Sequence, residues 1–380
     1  MSQGFWSGIQ RELRYLFTEK WDLALVLLAP LFVILLLGSM LSQGKPTHLP
    51  IAIIDQDHSR LSEQVYERVA LNHTVKIYIV SDQTREVEKL LNENKIWGYI
   101  HIPNGAEQRF VSAQDAKISI AFNQSYFSIG NTISSAMLVS TLGALTEFGR
   151  KQYSGTTLPY LDAPTPHVKI STLYNPDLNY ELYLEPYMVP AILHLLLCCC
   201  VAFAVGQEIK RHTLQRWIND RRLWAALLSK NLVYITIFCL WTWAWLFWLT
   251  EVQGWFIAGS LSLVLLGQIL FYSAYAFLAT AVVLATQDLS KSFGLLAVYG
   301  GSSLSFAGVT LPLNNAPLFT QFWANIIPFT PYAKLQTEQW VIGSPVSTSI
   351  EPLVILVAYV VLYGTLAYFF LNKTVQQVKP

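Results

Sequence analysis

QEIKRHTLQRWINDRR, residues Gln207–Arg222, holds five Lys or Arg, two acidic residues and one His. It lies between two runs with no formal charge, YMVPAILHLLLCCCVAFAVG (Tyr187–Gly206) and NLVYITIFCLWTWAWLFWLT (Asn231–Thr250). Each run is as long as a membrane span, since about twenty helical residues cross the ~30 Å hydrocarbon core of a bilayer. The charged stretch therefore reads as a polar connection between two spans. Composition agrees: only 13% of the 380 residues are charged, against about 25% in a soluble domain, and the deficit is confined to apolar runs. A net charge of +1 leaves no electrostatic footprint for nucleic acid. All four Cys (Cys198, Cys199, Cys200, Cys239) lie in apolar runs and specify no disulfide framework.

Six segments can cross: Leu23–Leu41, Tyr187–Gly206, Leu232–Leu249, one helix within Trp255–Thr286, Ser292–Val309 and Leu353–Leu371. In the fourth, Trp255–Ala258 reads as an interfacial lead-in. With the N-terminus cytoplasmic, the inner connections carry twelve Lys and Arg and the short outer ones only Lys334. That bias puts both termini and the loop 207–230 inside. The first run exceeds the usual length of a cleavable signal core and is read as a retained anchor. Pro30 within it needs a neighbouring helix to accommodate it.

The expected fold is an α-helical integral membrane protein with six transmembrane helices, N and C termini cytoplasmic, and an inserted α/β extracytoplasmic domain. Its parts are an amphipathic interfacial helix (1–20), a first span (21–42), the α/β domain (43–182), a five-helix bundle (183–372) and a cytoplasmic tail (373–380). In the first of these, Phe5, Ile9, Leu13, Leu16 and Phe17 form the apolar stripe, with Gln10, Arg11, Glu12 and Arg14 largely off it. In the α/β part, LPIAIID (Leu49–Asp55), VKIYIV (Val75–Val80), WGYIHIP (Trp97–Pro103) and KISIAF (Lys117–Phe122) read as strands. Leu61, Val65 and Val69 mark a helix with Ser59 as N-cap; Val87, Leu90 and Leu91 mark a second that starts near Asp82; a long helix covers about Ile129–Lys151.

Short motifs weigh little here. Asp55-Gln56-Asp57 matches a cation-binding D-x-D but reads more simply as a strand-end turn that leads into a helix cap. Ser42 and Lys45 have Ser–Lys hydrolase spacing, yet Pro46 disfavours helix at Lys45. There is no Walker A sequence, so no nucleotide is cradled by that device. His194 sits in mid-span and should face the bundle interior. Trp248 and Trp255 suit an interfacial aromatic belt, while Trp241 lies deeper. His194 and Trp241 are the candidates for pathway lining.

Three passages resemble the membrane subunit of an ABC-2 type ABC exporter, within it the bacterial drug-exporter-like permeases that carry one large outer domain after the first span. They are GQEIKRHTLQRWINDRRLWAALLSKNL (Gly206–Leu232), SFAGVTLPLNNAPLFTQFWANIIPFTPYAK (Ser305–Lys334) and LYNPDLNYELYLEPYMVPAIL (Leu173–Leu193). In the first, Glu208, Thr213-Leu214 and Lys230 match the family, while His212 and Ser229 replace its usual glycines. The resemblance implies a permease that pairs with a second copy or paralogue and docks on a separate ATPase, which would hold ATP and Mg; no cofactor is expected in this chain. A periplasmic adaptor is a further expected partner, and the bacterial inner membrane the expected location. Glu208, Lys210, Arg211, Thr213, Leu214, Arg216 and Trp217 are the coupling residues it implies, with Arg221 and Arg222 extending a short coupling helix. The Pro-broken segment 311–350 is the expected outer re-entrant element, and Pro312, Asn314, Asn325, Pro328 and Pro331 its gate, with Asn314, Asn315 and Asn325 satisfying freed backbone groups. Amphipathic or hydrophobic cargo, drug-like or lipid-like, fits the low charge of the bundle. The alternative is a membrane-anchored receptor or assembly protein that binds a partner through its outer domain; five further spans exceed what an anchor needs.

Overall fold

The computed structural model describes residues 2–41, 47–93, 95–123, 127–153, 179–218, 223–310, 313 and 316–378. The chain divides into two compact units, Gln43–Tyr180 and the remainder (Met1–Ser42 with Glu181–Pro380). Ser42 and Lys45, the Pro-rich stretch 158–166, Asp220, Arg221, Arg222, Pro312, Asn314 and Asn315 lie outside the described residues.

The chain opens with helix α1 (Ser2–Thr18) and, one residue later, α2 (Lys20–Leu41). α1 carries two apolar faces. Leu16 is buried against the bundle with Ile9 packed beside it, while Trp6, Leu13 and Phe17 stay exposed. Glu12 lies on the buried face, 4% exposed, and not off the stripe as its charge suggests: at 100° per residue it falls about 40° from Leu16, at the edge of the apolar stripe.

The unit Gln43–Tyr180 contains β1 (Leu49–Asp55), α3 (Arg60–Ala70), β2 (Val75–Ser81), α4 (Thr84–Asn92), β3 (Gly98–Ile102), α5 (Ala106–Val111), β4 (Ser119–Phe122) and α6 (Phe127–Tyr153). The sheet order is β2-β1-β3-β4, with β1 parallel to both neighbours and β4 antiparallel to β3. Ile51, Ile53, Ile100 and Ile102 fill one side of it with Val65, Val69, Ile133 and Met137 from α3 and α6. Ala52, Ile54 and Val87 fill the other. Opposed faces of adjacent strand residues explain why β1 is apolar at four successive positions. Ser59 caps α3 in a box with Ser62. α4 instead starts after Gln83, whose N–H bonds the Ser81 hydroxyl; the Asp82 side chain does not cap it.

The D-x-D carboxylates are committed to backbone. Asp55 Oδ1 accepts from the N–H groups of Asp57 and His58, each at 3.0 Å. Asp57 accepts from Ala106 and Glu107 at the start of α5, and Glu107 in turn accepts from Leu61 at the start of α3. A carboxylate at each helix N-terminus satisfies donors the helix leaves open.

The second unit continues with α7 (Tyr180–Lys210), α8 (Leu214–Ile218) and α9 (Leu223–Phe247), the last running on into a π-helical turn, Trp248–Val252. Then come α10 (Leu261–Thr286), α11 (Leu289–Gly301), α12 (Ser303–Phe306), α13 (Leu318–Ile326), α14 (Phe329–Gln336), a second π-helical turn (Thr337–Ile342) and α15 (Val346–Val378). Five helices among the described residues are long and apolar enough to cross a membrane: Lys20–Leu41, Glu181–Lys210, Leu223–Val252, Leu261–Thr286 and Val346–Gln377. The run Ser292–Val309 is not a sixth continuous helix. α11 has 13 residues, about 20 Å, and breaks at Gly300-Gly301-Ser302-Ser303, a Gly/Ser cluster of the kind that interrupts helices. Gly300 also sets the packing there, since a Cβ would fall 2.6 Å from Leu195 Cδ2.

Burial alone would raise the Asp57 carboxyl, but hydrogen bonds from Ser59 and from the N–H groups of Glu107, Gly105 and Ala106 outweigh it and hold the group below its ordinary value. A lowered carboxylate stabilises above its unfolded pKa and ceases to as pH falls through the folded one. The protection factors of α5 amides in the full chain, each taken relative to intrinsic exchange at the same pH, are therefore expected to fall below about pH 4. Asp57→Ala should remove about 1 kcal/mol of protection at neutral pH and with it this part of the acid dependence.

Candidate functional site

The charged stretch and its flanks fold around one buried ion cluster. α7 continues beyond Gly206 to Lys210, because Gln207, Glu208, Ile209 and Lys210 form helix readily outside the apolar window. His212 then takes a left-handed conformation, φ 52°, and turns the chain into α8. A glycine is at home at such a position. The turn closes through Thr213 N–H on the Glu208 carbonyl at 2.9 Å.

Glu208 is 7% exposed and points inward. Its Oε1 accepts from Arg11 Nη2 at 2.6 Å and from Lys230 Nζ at 3.2 Å, and its Oε2 from Thr213 Oγ1 at 2.5 Å. Lys230, 3% exposed at the beginning of α9, also donates to Glu12 Oε2 at 2.6 Å. Glu12 Oε1 takes the Tyr234 hydroxyl at 2.8 Å. Two acids and two bases thus cancel formally, and both carboxylates and the ammonium are hydrogen-bonded, the condition for burying them at tolerable expense. The Trp217 ring lies 5.4 Å from Lys230 Nζ, a cation–π distance, and its indole donates to the Ala226 carbonyl at 3.2 Å. α1, α7, α8 and α9 therefore meet at one point.

The seven residues expected to couple divide by direction. Glu208, Leu214 and Trp217 are buried and Thr213 half-buried, whereas Lys210, Arg211 and Arg216 are exposed. Arg211 reaches back to Glu19 at 2.9 Å and lies over the Tyr15 ring. Lys210 and Arg216, with Gln215, form the outward face of this corner. α8, the helix at the place expected for coupling, has only five residues and excludes Glu208 and Lys210, which belong to α7. Glu12, Tyr234 and Lys230's second role escaped a reading by charge counts. The signal was there in the helical phase of Glu12, an acid on an apolar stripe.

At the other candidate region, Pro328 and Pro331 are buried and Asn325 is exposed. Pro331 fits in the first turn of α14, where its missing N–H is not needed. Asn325 does not serve the freed backbone: its Nδ2 bonds Gln321 O, one turn back in its own helix, at 2.9 Å. Tyrosines do so instead. Tyr359 donates to the Asn325 carbonyl at 2.5 Å, and Tyr299 to that of Ile326. Tyr363 lies 2.6 Å from the Tyr299 hydroxyl. Hydroxyls inside an apolar run must find partners, and the i, i+4 pair Tyr359/Tyr363 was the overlooked sign.

His194 is fully buried, its ring 4.2 Å from that of Tyr275 and near Phe271 and Phe329. Its Nδ1 lies 3.2 Å from the Pro190 carbonyl oxygen, so the ring proton belongs on Nδ1. Trp241 donates to the Val26 carbonyl at 3.1 Å. Val26 is four residues before Pro30, whose missing N–H leaves that carbonyl unpaired within α2. Trp241 thus fills the gap that the proline opens.

Removing Lys230 alone leaves buried negative charge in excess. Lys230→Ala is expected to lower stability by about 3–5 kcal/mol, read as a fall in the thermal midpoint of the purified protein. The double variant Glu12→Gln/Lys230→Met keeps the charges balanced through Arg11 and Glu208 and should recover most of that loss.

The model of the ABC-2 family transporter protein matches residues 20–369. The chain is also 19% identical, over 99% of its length and all of the relative's, to a protein of Escherichia coli K12 named probable multidrug ABC transporter permease YbhR. The same match holds for its counterpart in Escherichia coli O157:H7. Helices suited to several membrane crossings and a family match over nearly the whole chain lead to one assignment: the protein is a multi-pass membrane permease of the ABC-2 family of ABC transporters.

Proposed function

We propose that the chain is the permease half of an ATP-driven exporter of the bacterial inner membrane, working as a pair with a second permease and driven by separate ATPase subunits that hold ATP and Mg. The buried tie between Lys230, Glu208 and Glu12 carries this reading. A motor that pushes on a corner moves the bundle only if the corner is rigidly joined to several helices. Here the outward face, Lys210, Gln215 and Arg216, backs onto Leu214 and Trp217. Trp217 rests against Lys230, which grips α1 and α7 from α9. Movement of α8 is thereby delivered to two spans and to the interfacial helix together.

In this reading α11 and α12 form a broken fifth crossing, so that six crossings keep both termini on the cytoplasmic side. The segment α13–α14 then lies at the outer face as the gate, its carbonyls held by Tyr299 and Tyr359. Pro328 and Pro331 set the break, and Pro312, Asn314 and Asn325 belong to the same segment. The exposed Trp6, Leu13 and Phe17 of α1 rest in the inner leaflet. Cargo would be amphipathic or hydrophobic, as the low charge of the bundle suits, the Escherichia coli relative being named a probable multidrug permease, and the outer α/β unit would serve an adaptor or guard the exit.

Co-purification with the cognate ATPase, followed by turnover measurements, tests this. Lys210→Ala/Arg216→Ala should lower permease-dependent ATP turnover by about fivefold or more with no change in thermal midpoint. Unchanged turnover would remove the docking role from this face.

A further inference from the structure

A cavity of about 500 Å³ lies at the far end of α9 from the Glu208 cluster. One wall is a stripe of α9 and the π-helical turn that prolongs it, with Trp243, Phe247 and Glu251 at i, i+4 and i+8; Leu261 and Leu265 of α10 form the other. Trp255, in the connection between these helices, lines it too, and the space is open on one side, where Glu251 and Phe256 are exposed. Glu251 is the single formal charge among the lining residues, and no Lys, Arg or His lines the space. Among the described residues no basic side chain pairs with Glu251.

The connecting loop is fixed in place. Ala258 and Gly259 donate backbone N–H groups to the Trp340 and Gln339 carbonyls at 3.0 and 2.8 Å, and Ser260 N–H donates to Gln339 Oε1 at 2.9 Å. Gly259 lines the cavity, and a Cβ there would stand 2.6 Å from Gln339 Oε1 and 2.9 Å from its carbonyl oxygen. The loop thus lies directly on the second π-helical turn, with no space for a side chain between them. The loop's partner in this contact is the π-helical turn Thr337–Ile342, and the cavity wall on the α9 side continues into the π-helical turn Trp248–Val252, an uncommon geometry that recurs at functional sites. The space is therefore preformed and not a gap that a mobile loop would fill.

We propose that this cavity binds a compact lipophilic cation, a molecule with one delocalised or quaternary positive charge on an aromatic or alkyl body. Aromatic faces attract such a charge, and one carboxylate with no counter-ion from the chain selects it over neutral and anionic molecules. The volume suits a drug-sized ligand and is too small for both chains of a phospholipid. The inference rests on the transport reading only for the side of the membrane on which the cavity opens. Binding itself needs neither ATPase nor export.

Equilibrium binding of tetraphenylphosphonium to the purified full chain in phosphatidylglycerol nanodiscs tests this, with tetraphenylborate as its anionic counterpart. Saturable 1:1 binding of the phosphonium is expected, without comparable binding of the borate. Glu251→Gln should weaken it about tenfold. Leu265→Trp, which fills the cavity from α10, should abolish it while Glu251→Asp retains it. Equal affinity for the borate, or unchanged affinity in Glu251→Gln, would overturn the proposal. Displacement of the phosphonium when phosphatidylethanolamine replaces phosphatidylglycerol would overturn it in favour of an amine lipid as occupant. Normal phosphonium binding in the Lys210→Ala/Arg216→Ala variant separates this site from the fate of the coupling reading.

Discussion

One ammonium group organises one end of this bundle. Lys230 Nζ lies between the carboxylates of Glu12 and Glu208 with almost no access to solvent. Taking a lone charge out of water is prohibitive, so each of these side chains is buried only because the others are. The consequence is geometric as much as energetic. Glu12 comes from the first helix, Glu208 from the end of one span and Lys230 from the beginning of the next, so satisfying the ammonium fixes three elements that are remote in sequence. Arg11, Thr213 and Tyr234 complete the hydrogen bonding, and Trp217 seats α8 against the result. A short polar loop is in this way made part of the bundle's framework instead of a flexible connection.

The same rule acts on the backbone in the apolar layer, where no water pairs a free carbonyl. A proline or a helix end leaves such carbonyls, and aromatic donors answer them. The Trp241 indole serves the carbonyl of Val26, and tyrosine hydroxyls serve those of Asn325 and Ile326. These aromatic side chains combine an apolar body that tolerates lipid with a single donor at the tip. That combination explains why aromatic residues populate the bundle so heavily, and why they lie opposite helix breaks.

Periodicity was the most legible layer of the sequence. Leu61, Val65 and Val69 announce a buried helical face, and all three are fully buried. The strand at Leu49–Asp55 is likewise found with the residues its composition suggests. Hydropathy alone read 292–309 as one continuous helix, because a window average weighs apolar content and is blind to Gly300-Gly301-Ser302-Ser303 as a break. At the ion cluster, the loop was conspicuous by charge, but charge was taken as exposure. Glu208 and Glu12 are buried since partners from distant helices neutralise them, and pairing at a separation of 197 or 218 residues leaves no local trace. The helix break at Ile327-Pro328 was legible from its prolines, whereas the donors that sustain it come from α11 and α15 and are written elsewhere in the chain.

The bond between Trp241 and Val26 also orders the birth of the protein. The two partners are 215 residues apart, so at ribosomal speeds the first anchor waits roughly 10–40 s before the indole that completes it has been made. Throughout that interval the nascent helix holds an unanswered carbonyl in hydrocarbon, a state worth several kcal/mol less than the finished one. The earliest helix to enter the bilayer is thus among the last to reach its final form, and its maturation is timed by the emergence of a helix from the other half of the polypeptide.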